Sequence, residues 1–240
     1  MNLQGKHRGL ASLLPNCSTF DDERMINMIK IENADVYGFE TALRAAIDQV
    51  GVSNAVSDSY FDSDIYETEP KDGCIMHHEK TKYYIGNHDL TLMTQCIKKG
   101  SGYDTFLTMI HATFDITAPL YWFLEFFGYD VLYTTRGIPF DKEISPDIFS
   151  FENVKLCEVG KAYLEELEKI RTKFNDTRKA KYWNALIQLV PCGLNMKILA
   201  NLTYHELRKM FKGFHGDHSG EWKEFCRWIE TLPYSELITA

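Results

Sequence analysis

The sequence predicts an α+β fold, mainly helical with a few strands. Three observations carry this. Helix-like segments with recognisable start and stop residues recur along the chain, and a few short β-rich or alternating stretches interrupt them. No internal repeat or low-complexity linker divides the 240 residues. A content of 45% apolar and 25% charged residues is that of a globular protein, and the length suits one large core. We therefore read residues 1–240 as a single domain.

Residues 1 to about 35 show no clear period. "VYGFETALRAAIDQVG" (36–51) reads as a helix closed by Gly51. The Ser-, Asp- and Glu-rich stretch that follows reads as a polar loop or insertion at about 52–80. "KYYIG" (82–86) reads as a short strand, and "NHDLTLMTQCIKKG" as a helix capped by Asn87 and stopped by Gly100. In "SGYDTFLTMI", Ser101 and Asp104 stand in capping-box register for another helix. "HATFDIT" alternates as a strand does and leads into a helix opened by Pro119 and ended by Gly128.

"ISPDIFSFEN" reads as a connection. "VKLCEVGKAYLEELEKI" is amphipathic, and "KYWNALIQLV" reads as a buried helix ending before Pro191. "TYHELRKMF" starts with Thr203 and Glu206 in capping-box spacing, and "EWKEFCRWIETL" closes the chain as an amphipathic helix.

Several function classes are disfavoured. The longest apolar run is far short of the roughly 20 residues of a membrane span. The start has no sustained apolar block of the secretory kind, so we place the chain in the cytoplasm. A net charge of −8 without a basic stripe argues against nucleic acid as main partner. The six cysteines are widely spaced with no C-x-x-C, as expected of free thiols in a reducing compartment. Phosphate-loop, dinucleotide-binding, G-x-S-x-G and H-E-x-x-H signatures are absent. "CIMHHE" (74–79) and "HGDH" (215–218) hold possible metal ligands, but neither has a second matched pair, and we assign no metal. Cys192, beside Gly193 in "VPCGLN", reads as a small packed residue unless a helix N-terminus or a base lies near.

One residue stands out. Glu125 is the only charge between Leu120 and Gly128, a stretch whose other residues leave no polar face. A helix of that kind is normally buried, and a buried carboxylate must be paired, hydrogen-bonded or protonated. Either Glu125 belongs to a functional pocket, or it pairs with Arg136 or a lysine, or it faces a wet subunit interface. Arg136, in "YTTRG", suits a phosphate or carboxylate ligand, with a surface arginine as the plain alternative. Tyr121, Tyr129 and Tyr133 could stack on a ring, or serve as core.

The segments "KKGSGYDTFLTMIHATFDITAPLYWFLEFFGYDVLYTTRG", "LVPCGLN", "NLTYHELRKMF" and "EWKEFCRWIETLPYSELI" resemble a group of uncharacterised bacteriophage proteins over roughly residues 80–235. Those proteins in turn resemble remote relatives of the flavin-dependent thymidylate synthases. In that family a strand leads into an R-H-R triplet, a serine and a further arginine, which together bind flavin and deoxyuridine monophosphate (dUMP). Anchored on Trp122, the triplet falls on Leu124, Glu125 and Phe126, so none of it is kept. The further arginine falls on Arg136, and Thr134 lies near the serine position. In the family's N-A-R-S-L element, Thr203 and His205 stand for asparagine and arginine, and Leu207 is retained.

The resemblance implies the flavin-dependent thymidylate synthase-like fold, mainly helical with a small antiparallel sheet. It implies a homo-oligomer, a tetramer in the family, with pockets between subunits. It implies FAD, and reductive methylation of dUMP if the chain is catalytic. On this reading Glu125 and His205 are the acid–base candidates, and Arg136, Tyr129, Tyr121 and Thr134 line a nucleotide-like ligand. The alternative is a non-enzymatic phage protein, in the host cytoplasm, that sequesters a host nucleotide signal or acts on a host partner.

Overall fold

A computed structural model describes residues 29–51, 56–68, 76–100, 102–135, 158–216 and 220–240. Its centre is a four-stranded antiparallel sheet in the order β1 (Lys30–Tyr37), β4 (His111–Pro119), β6 (Asn195–Thr203), β5 (Leu132–Thr135). A separate antiparallel hairpin pairs β2 (Tyr60–Thr68) with β3 (Met76–Tyr84). The helices are α1 (Phe39–Val50), α2 (Asn87–Lys99), α3 (Leu120–Phe126), α4 (Glu158–Thr177), α5 (Ala180–Leu189), α6 (Tyr204–Phe214), α7 (Gly220–Glu230) and α8 (Glu236–Thr239). The fold is α+β, as expected.

The sheet has one dry face. In β4, Ala112, Phe114, Ile116 and Ala118 are buried and the residues between them are half-buried. In the paired β6, Met196, Ile198, Ala200 and Leu202 point the same way. Helices α1, α2, α3, α6, α7 and α8 cover this face with Phe39, Met93, Phe123, Leu207, Phe225 and Leu237 among others. The opposite face is polar. There Lys197 Nζ sits 3.0 Å from Asp115 and 3.7 Å from Glu32, while Asn33 donates to Asp115 at 2.8 Å.

Local signals explain most element ends. Gly51 and Gly100 follow α1 and α2 at positive φ, where a side chain would be strained. Gly38, at φ +98°, turns β1 into α1 so close to the Met109 carbonyl that an added Cβ would lie 2.0 Å from its oxygen. Thr203 caps α6 by accepting from the Glu206 N–H at 3.2 Å.

Four expectations need correction. The 52–80 stretch is not all loop, because β2 and the first half of β3 lie in it. The segment at 105–109 is a short 3-10 turn and not an α-helix, with Asp104 as its cap. α2 is capped by Gly86, with Asn87 already inside the helix. α5 is not a buried helix, since Leu186 is its only buried side chain. The 144–153 connection lies outside the described residues.

Candidate functional site

α3 follows directly from β4, so the strand sets its position. Pro119 ends the strand at φ −63°, and the N–H groups of Leu120 and Tyr121 donate to the carbonyls of Leu194 and Cys192, both at 2.9 Å. Trp122, Phe123 and Phe126 then fall on the core side, and Tyr121, Leu124 and Glu125 on the exposed side. The helix that looked apolar all round is therefore buried on one face only. Glu125 is exposed and has no lysine partner among the described residues, while Arg136, the other partner expected for it, lies outside them. Its partner is the buried Trp222 of α7, whose indole N–H donates to Glu125 Oε2 at 2.9 Å.

A second link joins the same two helices. Tyr121 OH donates to Glu221 Oε1, and Glu221 is only 4% exposed. Burial first, and then the Glu221 carboxylate, push the Tyr121 pKa up, so the phenol keeps its proton and remains a donor. Tyr129 lies against α6, its hydroxyl 3.3 Å from where a Cβ on Gly213 would stand. Burial, with Glu125 and Glu206 adding to it, raises the Tyr129 pKa. Trp222 stacks on Phe214 with ring centroids 3.6 Å apart and planes 7° from parallel.

The corner of α3, α6 and α7 is thus built from carboxylates, phenols and indole. Among the described residues, the ion pair at the Glu125, Glu206 and Glu221 carboxylates is that of Lys209 Nζ with Glu206, at 2.5 Å. Such a set accepts hydrogen bonds from a ligand's N–H or O–H groups. It does not neutralise a phosphate.

The remaining predicted residues are dispersed. Thr134 is exposed on the edge strand β5 and pairs in register with Leu199, so it faces the polar side of the sheet. His205 is in the first turn of α6, next to Glu206. The structure thus ties Tyr121 and Glu125 to α7, places Tyr129 within reach of the charges of Glu125 and Glu206, and leaves Thr134 on the polar face of the sheet. His205 Nδ1 is buried with no hydrogen-bond partner among the described residues, as is Trp122 Nε1. Arg136 lies outside the described residues.

Of the possible metal ligands, Cys74, Asp217 and His218 also lie outside them, and of His77, His78 and Glu79 only the backbone in β3 is described. A different group, Asp58, His88 and Asp89, brings potential ligand atoms within 4.8 Å of one another. These residues already have a structural task. Asp58 accepts from the N–H groups of His88 (2.9 Å) and Asp89 (3.1 Å) at the start of α2, and Ser57 and Ser59 donate to Asp89 at 2.6 Å. Gly86 permits this approach, because an added Cβ would lie 2.1 Å from the Asp58 carboxyl carbon.

No protein-family model matches the chain, and no curated protein matches its sequence. Solved structures do. Two structures of the flavin-dependent thymidylate synthase ThyX of Helicobacter pylori, described with FAD and dUMP, superpose with a TM-score of 0.57 each, at 12% and 11% identity. They cover 88% of this chain and 96% and 95% of their own. A UMP/dUMP methylase of Streptomyces cacaoi, bound with 5-bromo-UMP, superposes at 0.52 with 11% identity over 87% of this chain and 92% of its own. The fold is that of a flavin-dependent thymidylate synthase.

On this thymidylate synthase fold, the three positions aligned with the arginine-rich triplet have distinct fates. Leu124 is 62% exposed, Glu125 is bonded to Trp222, and Phe126 is buried in the core. The sequence signal missed Glu221 and Trp222, which complete the corner. They lie about a hundred residues from α3, and no local spacing links the two segments.

Proposed function

We propose that this chain uses the thymidylate synthase fold to bind a nucleotide or flavin-type ligand in a cleft that a second subunit completes against the exposed side of α3. The observation that carries the reading is the shared fold over 88% of the chain with proteins described in complex with FAD and dUMP. Tyr121 and Leu124, 40% and 62% exposed beside Glu125, supply an amphipathic wall. Glu125 is the acid–base candidate there. Arg136 is assigned to the anionic part of the ligand, with Tyr129 and Thr134 at the margins.

The described corner by itself does not fit the phosphates of FAD or dUMP, because it presents carboxylates and the Lys209 ammonium beside them is paired with Glu206. We derive no reaction step through flavin. Reductive methylation of dUMP is the activity to be assayed, and the carboxylate-rich corner favours a second reading, ligand binding without turnover. Such a protein would act by sequestering a nucleotide or by engaging a partner.

The test begins with the visible spectrum of the purified protein and mass spectrometry of what denaturation releases. A flavin spectrum with turnover of dUMP in the presence of reduced nicotinamide and methylene-folate supports the enzyme. A released nucleotide without turnover supports the binding protein. Replacing Arg136 by Ala should weaken binding by at least about tenfold, the scale of a lost charge-assisted contact. Normal binding by Arg136→Ala would show that the ligand lies elsewhere.

A further inference from the structure

A cleft of about 410 Å³, lined by no residue of α3, is formed by Phe214, His215 and Gly216 at the end of α6 and by Lys223, Cys226, Arg227 and Glu230 of α7. We propose that this cleft is a second ligand site, which takes a phosphate monoester. The site is separate from the α3 cleft and does not depend on that assignment.

Charge pairing is the first argument. Three cations on α4 and α6 pair with a glutamate three residues before them: Lys169 with Glu166, Arg171 with Glu168 and Lys209 with Glu206. α7 offers Arg227 two acids one turn away, Glu224 three residues before it and Glu230 three residues after it. Instead Glu230 Oε1 lies 3.8 Å from His215 Nε2, across the cleft. Lys223 and Arg227, one turn apart and both exposed, have no ion pair or hydrogen bond among the described residues. Two like charges at this spacing repel each other, and an anion between them removes the repulsion. In a chain of net charge −8, their lack of a carboxylate partner does not reflect a shortage of acids.

Shape and chemistry narrow the ligand. The volume falls within the range of about 300–1,000 Å³ typical of small-molecule sites, near its lower end. An arginine fork and a lysine point charge suit one phosphate group, the first by bidentate contact. Glu230, opposite, repels a second phosphate and accepts a hydrogen bond from a hydroxyl or amino group on the ligand. The Cys226 thiol on the floor is pushed up to about 11 by burial and by Glu230, so it stays neutral. Gly216, at φ +106°, puts no side chain across the mouth.

The experiment is a titration of the full chain with inorganic phosphate and, separately, with a nucleoside 5′-monophosphate. It is followed by ¹H–¹⁵N NMR of the backbone and of the Trp222 indole, next to the cleft. Saturable shifts at 214–216 and 223–230, weakened at least tenfold in K223E/R227E, are the expected result. Tighter binding of the nucleotide identifies the monoester, and equal binding identifies free phosphate as the ligand of the same anion site. K223Q/R227Q, which adds no negative charge, should weaken binding in the same direction. Absence of saturable shifts with either probe, or unchanged affinity in both double variants, would overturn the proposal. Neither double variant should alter the ligand released in the Arg136 experiment, so the two sites fail or stand separately.

Discussion

α3 and α5 are short helices of similar apolar content, and they are buried to different degrees. α3 places Trp122, Phe123 and Phe126 in the main core, where the three rings touch one another and Trp122 also meets Trp222 and Phe225. α5 packs chiefly on α4, with Trp183 against Phe174, and leaves Trp183, Ile187 and Leu189 between 39% and 49% exposed. The difference comes from what precedes each helix. α3 leaves a central strand and must lie over the sheet, whereas α5 is the second arm of a helical hairpin. Apolar content says that a surface favours burial; only connectivity says what is there to cover it.

The largest expected effect breaks the comparison on the α3 side. Phe123→Ala removes a fully buried ring and should destabilise the protein by about 3–5 kcal/mol, read from the urea midpoint. Phe123 makes ring contacts with Trp122, Phe126 and Phe127, so the cavity cannot close easily. A loss below about 1 kcal/mol would mean that the site collapses freely, and α3 would then be no better anchored than α5.

The next effect tests how the polar groups on α3 are held. Tyr121→Phe leaves the buried Glu221 carboxylate without its phenol donor. An unsatisfied buried acceptor costs about 1–3 kcal/mol. Adding Glu221→Gln, which removes the charge, should recover part of that loss. If the single change costs nothing, the α3–α7 link is a surface contact and Glu125 is not rigidly positioned for any ligand.

Much of this frame was legible from local signals. Pro119, Gly51, Gly100 and the Thr203–Glu206 pair mark ends correctly because each acts on its own backbone. The strands were harder. β6 alternates on its buried side from Met196 to Leu202, but Leu199, 49% exposed on the other face, masks the period. β1 loses its phase at a register shift between Glu32 and Asp35, where Asn33 has φ +54°. β5 spans four residues and carries no period to read. At the candidate site, a lone charge in an apolar run was enough to single out Glu125. Its partner was not readable, because only the packing of α7 brings Trp222 to it.

A smaller effect concerns acid, and it separates the body from the hairpin. Burial alone would raise the Asp89 pKa, but hydrogen bonds from Ser57 and Ser59, with His88 beside them, outweigh it and hold the carboxyl below its usual range. A depressed folded pKa contributes stability above the unfolded value, and that stability is lost as the pH falls through the folded one. Global stability should therefore drop as the pH falls below about 4, and Asp89→Asn should flatten that slope. An unchanged slope would show that the two serines do not hold the carboxylate in its charged form.

The smallest expected effect sits on α5 and sharpens the comparison most. Ile187 is 49% exposed, so Ile187→Ser should change the stability of an isolated protomer by no more than about 0.5 kcal/mol. Measured at two protein concentrations, this small value should not move. A loss several times larger that shrinks on dilution would mean that a second copy covers α5. In that case α5 would be buried like α3 after all, by another chain rather than by its own sheet.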